Sequence, residues 1–405
     1  MRPHAIRPWP PAVWQRSTRV HLGEGALAEA LAEERAAHAV VVVDARQPGL
    51  PALVGPVPHA ARTTLVRLDP AACGLDTVVR LAETLRTANV VVAAGGGTVL
   101  DAAALARLCV AVPGTPGAVR LGGGRPGLVR GPAGDATPSP RLVAVPTTVG
   151  TAAEVSAAAT VVVDGHRKLV MHPLLAADVA ALDPAATATL AVQSVLEGAL
   201  EAVLRLCNGY LPQPTRRCPA PVDGESTSLL RDLVRAAEGG APTLDIAVLS
   251  TRTILGFAAV GRDPFAGKVW YLANELSSLA GIRKIPATLA VLPPVWSRVR
   301  DGDSRFGIPA RLAEVWETIR AASRTDLPRD PAAGITALAD SWGITPPSWP
   351  LPRRTCTTPV APDAGVLAAR AVRAWGGGLP MLHGIGHDDL VRLYADALRG
   401  AGAVQ

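Results

Sequence analysis

Lysine is nearly absent from this chain: Lys168, Lys268 and Lys284 are the only three among 40 basic residues, and the rest are arginine. An ammonium is a compact charge whose pKa falls readily when water is excluded. It can therefore bond a substrate oxygen and move a proton, whereas a guanidinium keeps its proton throughout. Two further stretches carry binding chemistry. In "VVVAAGGGTVL" (90–100) a strand runs into Gly95, Gly96 and Gly97 and then a helix start. Without Cβ atoms the backbone can turn sharply and bring its N–H groups to a ligand, and the positive helix end behind them suits a pyrophosphate. The spacing is not GxGxxG. In "VPTTVGTAAEVS" (145–156) a strand ends in Thr147 and Thr148, turns at Gly150 and adds Thr151. Hydroxyls gathered at a strand's C-terminal end can bond phosphate or ribose.

These residues need a scaffold, and the sequence supplies one. Val-rich runs at 39–45, 89–95 and 141–147 read as buried strands, and 159–165 as a strand at an edge or in a hairpin. Segments 25–37, 75–88 and 100–110 carry the helical period between them. Strand–helix alternation implies an α/β domain with a parallel sheet covered by helices on both faces. Past "ALDPAAT" (181–187) the Val runs stop and long helical patterns begin with 190–207. The expected division is an α/β nucleotide-binding domain over 1–185 and an all-α domain over 186–405. The Gly/Pro-rich segments 111–140 and 208–224 read as long surface loops.

Composition excludes several classes. The apolar fraction is 49%, aromatics are 3%, charged residues 18% and the net charge +6. Scattered arginines without interleaved aromatics argue against nucleic acid as a partner. Five separated cysteines without a CxxC pair argue against a disulfide framework or thiolate metal site and fit a reducing compartment. Neither a signal peptide nor an apolar run of spanning length is visible, so a cytoplasmic protein without membrane contact is expected.

Taken in order, "VHLGEGALAEAL" (20–31), "GGGTVLD" (95–101), "PTTVGTAAEV" (146–155), Lys168 and "LDP" (182–184) resemble the iron-containing alcohol dehydrogenase family, of dehydroquinate synthase-like fold. The resemblance implies a nicotinamide dinucleotide between the domains. Gly95, Gly96, Gly97 and Thr98 would take the pyrophosphate, with Asp101 supporting the loop. Thr147, Thr148 and Thr151 would flank the cofactor and Lys168 would approach it. Asp44, at the end of "AVVVVD", would bond the ribose hydroxyls and favour NAD over NADP. The family's lysine after the glycine motif is Ala104 here.

The second half departs from the family. There, a helix gives an Asp and, four residues on, a His, and two more His follow about 14 apart. They hold a divalent ion that polarises the alcohol oxygen. Here Glu197 and Glu201 fall at the first two places, on one face of a helix, and no histidine occurs between His172 and His383. No metal is expected. Lys284 aligns at or near the last ligand and Lys268 close to the other, so an ammonium would stand where the ion would be, paired with Glu197 and Glu201. His383 and His387 read as surface or capping residues. The expected function is an NAD-dependent, metal-free dehydrogenase, acting on a small molecule or on the C-terminal Thr of a ribosomal peptide in natural-product biosynthesis. Assembly as a homo-oligomer or with a paralogue is expected. The alternatives are an inactive scaffold subunit of an active paralogue and, with less support, a dehydroquinate synthase-like cyclase.

Overall fold

The computed structural model describes residues 17–121, 127–131, 137, 139–212, 220–349 and 362–400. Its strands are β1 (Arg19–Leu22), β2 (Ala36–Asp44), β3 (Ala60–Leu68), β4 (Val90–Gly95), β5 (Leu128–Arg130), β6 (Arg141–Pro146), β7 (Ala158–Val163), β8 (His166–Met171) and β9 (Val179–Leu182). The helices among them are α1 (Ala26–Ala32), α2 (Leu50–Val54), α3 (Leu75–Leu85), α4 (Gly97–Ala111) and α5 (Thr115–Leu121). After β9 every described element is helical: α6 (Pro184–Thr187), α7 (Val192–Tyr210), α8 (Ala220–Gly239), α9 (Thr243–Leu255), α10 (Lys268–Ala280), α11 (Lys284–Arg300), α12 (Pro309–Ala322), α13 (Pro331–Ser341), α14 (Ala364–Trp375) and α15 (His387–Gly400), besides short 3-10 turns.

The large sheet is parallel throughout, in the order β1-β9-β6-β4-β2-β3. Its central strands are buried on both faces, as their unbroken Val runs require. Strand alternation divides them between two cores: Val40, Val42, Val91 and Ala93 face α3 and α4, while Val41, Val43, Val90 and Val92 face α1 and α2. β3 went unread because its side chains are mostly exposed, in an edge strand without an apolar run. The run at 159–165 is β7, antiparallel to β8 across Asp164 and Gly165 at φ 50° and 72°. Two left-handed residues there match the hairpin's own twist.

The two long loops are corrected. Helix α5 and strand β5 lie within 111–140, and β5 joins β8 in a three-stranded sheet. Within 208–224, α7 runs on to Tyr210 and α8 starts at Ala220, while 213–219 lie outside the described residues. Among the described residues no single helix is long and apolar enough to cross a membrane.

Candidate active site

Three elements meet where the sheet abuts the helical half. Gly95 ends β4 and Gly96 caps α4 without any side-chain bond, so the first N–H groups of this 15-residue helix are left to solvent or a ligand. The turn is held tight. A Cβ on Gly97 would come within 3.2 Å of Thr151 Cγ2, and one on Gly96 within 3.4 Å of the Thr148 side chain. The two threonines therefore wall the cradle, and Thr98 stands exposed at its lip. Thr147 is buried, and its Oγ1 accepts from Gln47 Nε2 at 2.9 Å, which ties the chain after β2 to the end of β6 across β4. A narrow glycine cradle at an uncapped helix start fits a pyrophosphate. Asp44 sits beside it, but Oδ1 accepts from Arg46 N at 2.9 Å within its own turn.

The Thr151 turn leans on the helical half. Gly150, at φ 99°, leaves no room for a side chain: a Cβ there would lie 2.4 Å from Gly198 Cα on α7. One turn beyond Glu201, Arg205 reaches back. It donates to the Gly150 carbonyl, to Thr151 O at 3.0 Å and to Thr253 Oγ1 at 2.9 Å. Beneath it, buried Glu154 accepts from Thr251 Oγ1 at 2.8 Å, and burial raises its pKa. Arg205 and Glu154 escaped the sequence reading because a buried charge leaves no periodic signal.

Glu201 carries the cluster on to the start of α11. Its Oε1 lies 3.6 Å from Lys284 Nζ and 4.0 Å from Arg205 Nη2. The same ammonium sits 4.3 Å from the centre of the Trp270 ring, within cation–π range. Trp270 was missed, although it precedes Lys284 by the 14-residue interval that the family's two histidines show. Burial lowers the Lys284 pKa, with Arg205 and Arg167 acting in the same direction and Glu201 and Asp101 opposing. The side chain is nonetheless 34% exposed, so its charge is crowded but reachable. Glu197 pairs with Arg283 Nη1 at 2.6 Å rather than with a lysine.

Two of the three lysines lie elsewhere. Lys268 donates to Met381 O at 3.3 Å and does not join the glutamates. Lys168 is buried on the far face of β8, where Nζ donates to Val119 O at 2.6 Å and Arg120 O at 3.2 Å near the end of α5. It completes carbonyls a helix end leaves open. Lys168→Met is therefore expected to cost about 1.5–3 kcal/mol of stability, read by thermal melting, while dinucleotide affinity stays within about twofold.

Asp101 does not hold the glycine loop. Its Oδ2 accepts from Thr160 N and Oγ1, both at 2.8 Å, which staples α4 to β7. Burial pushes its pKa up to about 6, against those bonds and the charges of Lys284 and Arg167. A raised carboxylate favours the folded state fully below its ordinary range near about 3.9, and that advantage is lost as pH rises through the folded value. Asp101→Asn keeps a neutral acceptor at all pH. Its melting temperature relative to the native chain should climb between about pH 4 and pH 7 and then level off. A flat difference would show that Asp101 is not perturbed.

A bound divalent ion is poorly served here. Among the described residues no three His, Cys, Asp or Glu side chains converge to hold one, and the two glutamates already face Arg283 and Lys284. His383 and His387 are exposed near the start of α15. A separate groove of about 730 Å³ on α12 and α13 is lined by Arg300, Trp316 and Arg320. Those arginines are already paired, with Asp330 and Glu317 respectively.

Comparison with known proteins agrees with the motifs. Residues 17–184 match the family described as "Iron-containing alcohol dehydrogenase". A phosphonoacetaldehyde reductase of Streptomyces viridochromogenes is 38% identical over 210 residues, covering 47% of this chain and 51% of that protein. The chain thus matches about half the length of this curated relative. The fold extends further. An NADH-dependent butanol dehydrogenase from Thermotoga maritima superposes with a TM-score of 0.74 at 17% identity, over 97% of this chain and 98% of that one. A sulfoacetaldehyde reductase from Bifidobacterium kashiwanohense, solved with NAD+, gives 0.68 at 16% identity, over 96% and 99%.

Proposed function

We propose that this chain, an iron-containing alcohol dehydrogenase in sequence over residues 17–184 and in fold throughout, is a nicotinamide-dependent oxidoreductase that interconverts a short aldehyde and its alcohol with an ammonium in the metal's place. The observation that carries this reading is Lys284, set against Trp270 and Glu201 with its side chain still partly exposed. The Gly95–Gly97 turn and the start of α4 would hold the dinucleotide, which supplies hydride to the carbonyl carbon when bound. NAD is favoured over NADP by Asp44 beside the cradle.

This chain's own residues do the rest. The Lys284 ammonium bonds the carbonyl oxygen, stabilises the negative charge that develops there and gives it a proton, so that an alcohol leaves. The neutral amine then recovers a proton from water. In the oxidation direction the amine takes the hydroxyl proton. Glu201 fixes the ammonium's position and keeps it charged, which opposes the depression by burial. Arg205 locks the helix that bears Glu201 to the turn that walls the cradle, so cofactor and acid share one rigid frame.

The relatives' names favour short aldehydes over a peptide hydroxyl, which the same residues would otherwise serve. The test is NADH consumption by the purified protein with butanal, phosphonoacetaldehyde and sulfoacetaldehyde, beside calorimetric titration with NADH and NADPH. Turnover of at least one aldehyde with tighter NADH binding supports the reading. Nicotinamide binding without turnover of any would favour the scaffold alternative.

A further inference from the structure

Lys168 and Arg167 are neighbours on β8 and point to opposite faces of its sheet. The Lys168 face packs into the α/β core together with Val170, whereas Leu169 on the other face packs against the helical core. Arg167 therefore lies on the side that meets the helical half. Across the hairpin it pairs in register with Val162, and Leu169 pairs with Thr160, the residue that holds Asp101. This makes Arg167 and Thr160 diagonal neighbours on one face of the hairpin, positions roughly 7–8 Å apart, and Asp101 is bonded to that threonine.

Its lack of a partner sets it apart. Arg205 is bonded to two carbonyls and a hydroxyl, Arg283 to Glu197, and Lys284 lies against Glu201. Arg167 is half-buried and makes no hydrogen bond or close ion pair among the described residues. Asp101, Glu275 and Lys284 act on it only at a distance. A partly desolvated guanidinium without a carboxylate is a fork open to a planar or tetrahedral oxyanion.

We propose that Arg167 binds an anionic group on the substrate, so that the preferred aldehydes end in phosphonate, sulfonate or carboxylate. The proposal rests on the reading that the chain reduces aldehydes. With the charged end on Arg167 and the carbonyl oxygen on Lys284, the two cations hold both ends of a short molecule. Neighbouring Asp101 and Glu275 keep the site from accumulating excess positive charge when it is empty.

The test compares the native protein with Arg167→Met and Arg167→Lys on phosphonoacetaldehyde and on butanal, a neutral aldehyde, with NADH affinity measured alongside. The native protein should prefer phosphonoacetaldehyde. Arg167→Met should lose between about tenfold and a hundredfold of kcat/KM on it, mostly through KM. Arg167→Lys should recover part of that loss as a point charge without the fork. NADH affinity should stay within about twofold, and kcat/KM for butanal should fall far less than that for phosphonoacetaldehyde. The anchor is overturned if both aldehydes fall together, if the loss appears in NADH affinity, or if the native protein handles both equally. Native protein that reduces neither aldehyde overturns the anchor and the reading beneath it, a result distinct from equal turnover.

Discussion

Lys284→Met should lower kcat/KM for aldehyde reduction by about a thousandfold while leaving NADH affinity within about twofold. The size follows from what one positioned proton donor contributes, commonly about 10²–10⁴ in rate. Among the described residues the ammonium pairs with Glu201 and lies over the Trp270 ring, and it makes no hydrogen bond to the glycine cradle, so cofactor binding should change little. Removing the ammonium leaves Glu201 with Arg205 as its remaining cation, at 4.0 Å, which limits the structural damage. Lys284→Arg separates charge from proton transfer. A guanidinium keeps the positive charge but does not release its proton, so most of the rate should still be lost. pH supplies an independent check. Burial lowers the Lys284 pKa below that of an ordinary ammonium, and reduction needs the protonated form. The native rate should therefore fall on an alkaline limb that lies below the ordinary lysine range of about 10.4. That limb should be absent from both variants. Retention of native kcat/KM in Lys284→Met, with the limb unchanged, would remove Lys284 from the chemistry.

The second large effect is on stability. Gly150→Ala places a Cβ 2.4 Å from both the Cα and the carbonyl oxygen of Gly198, contacts that only a backbone shift can relieve. The residue also sits at φ 99°, where a side chain strains the backbone by about 1–2 kcal/mol. Overpacking adds about 1–3 kcal/mol, so a loss of about 2–5 kcal/mol is expected. Chemical denaturation measures it directly. Because the Gly150 turn carries Thr151, which walls the cradle, NADH affinity should fall as well, unlike in the Lys284 variants. Gly198→Ala, with its Cβ 2.5 Å from Val149 O, should behave alike from the other side of the contact. Native stability in both would mean that the sheet and helical halves are not pressed together at this point.

Much of this frame was legible in the chain. Fully buried strands such as β2 and β4 write themselves as Val runs, and the Gly95–Gly97 turn announces a helix start by its lack of side chains. Glu197 and Glu201 were readable as a pair because a helix brings every fourth residue to one face. What failed did so for equally definite reasons. Strand β3 hides because an edge strand with exposed side chains has no apolar run. Lys168 stands out by its rarity and by its place in the family resemblance, yet in a strand a shift of one residue reverses the face, and Arg167 occupies the side that meets the helical half. Lys268 aligns close to one of the family's histidines but falls two residues short of Trp270, whose ring supports Lys284. Asp101 was assigned to the glycine loop but bonds a strand remote in sequence, a pairing that tertiary structure alone creates. Arg205 was invisible because it is a buried charge held largely by two backbone oxygens, and those carry no side-chain signature.

The central proposal is that an ammonium performs the task that a divalent ion performs in the iron-containing alcohol dehydrogenases the chain resembles. It is tested most directly by aldehyde reduction before and after exhaustive treatment with a chelator, with the metal content of the same sample measured by mass spectrometry. The account predicts unchanged turnover and far less than one equivalent of iron or zinc per chain. Turnover abolished by the chelator and restored by added iron or zinc would contradict it.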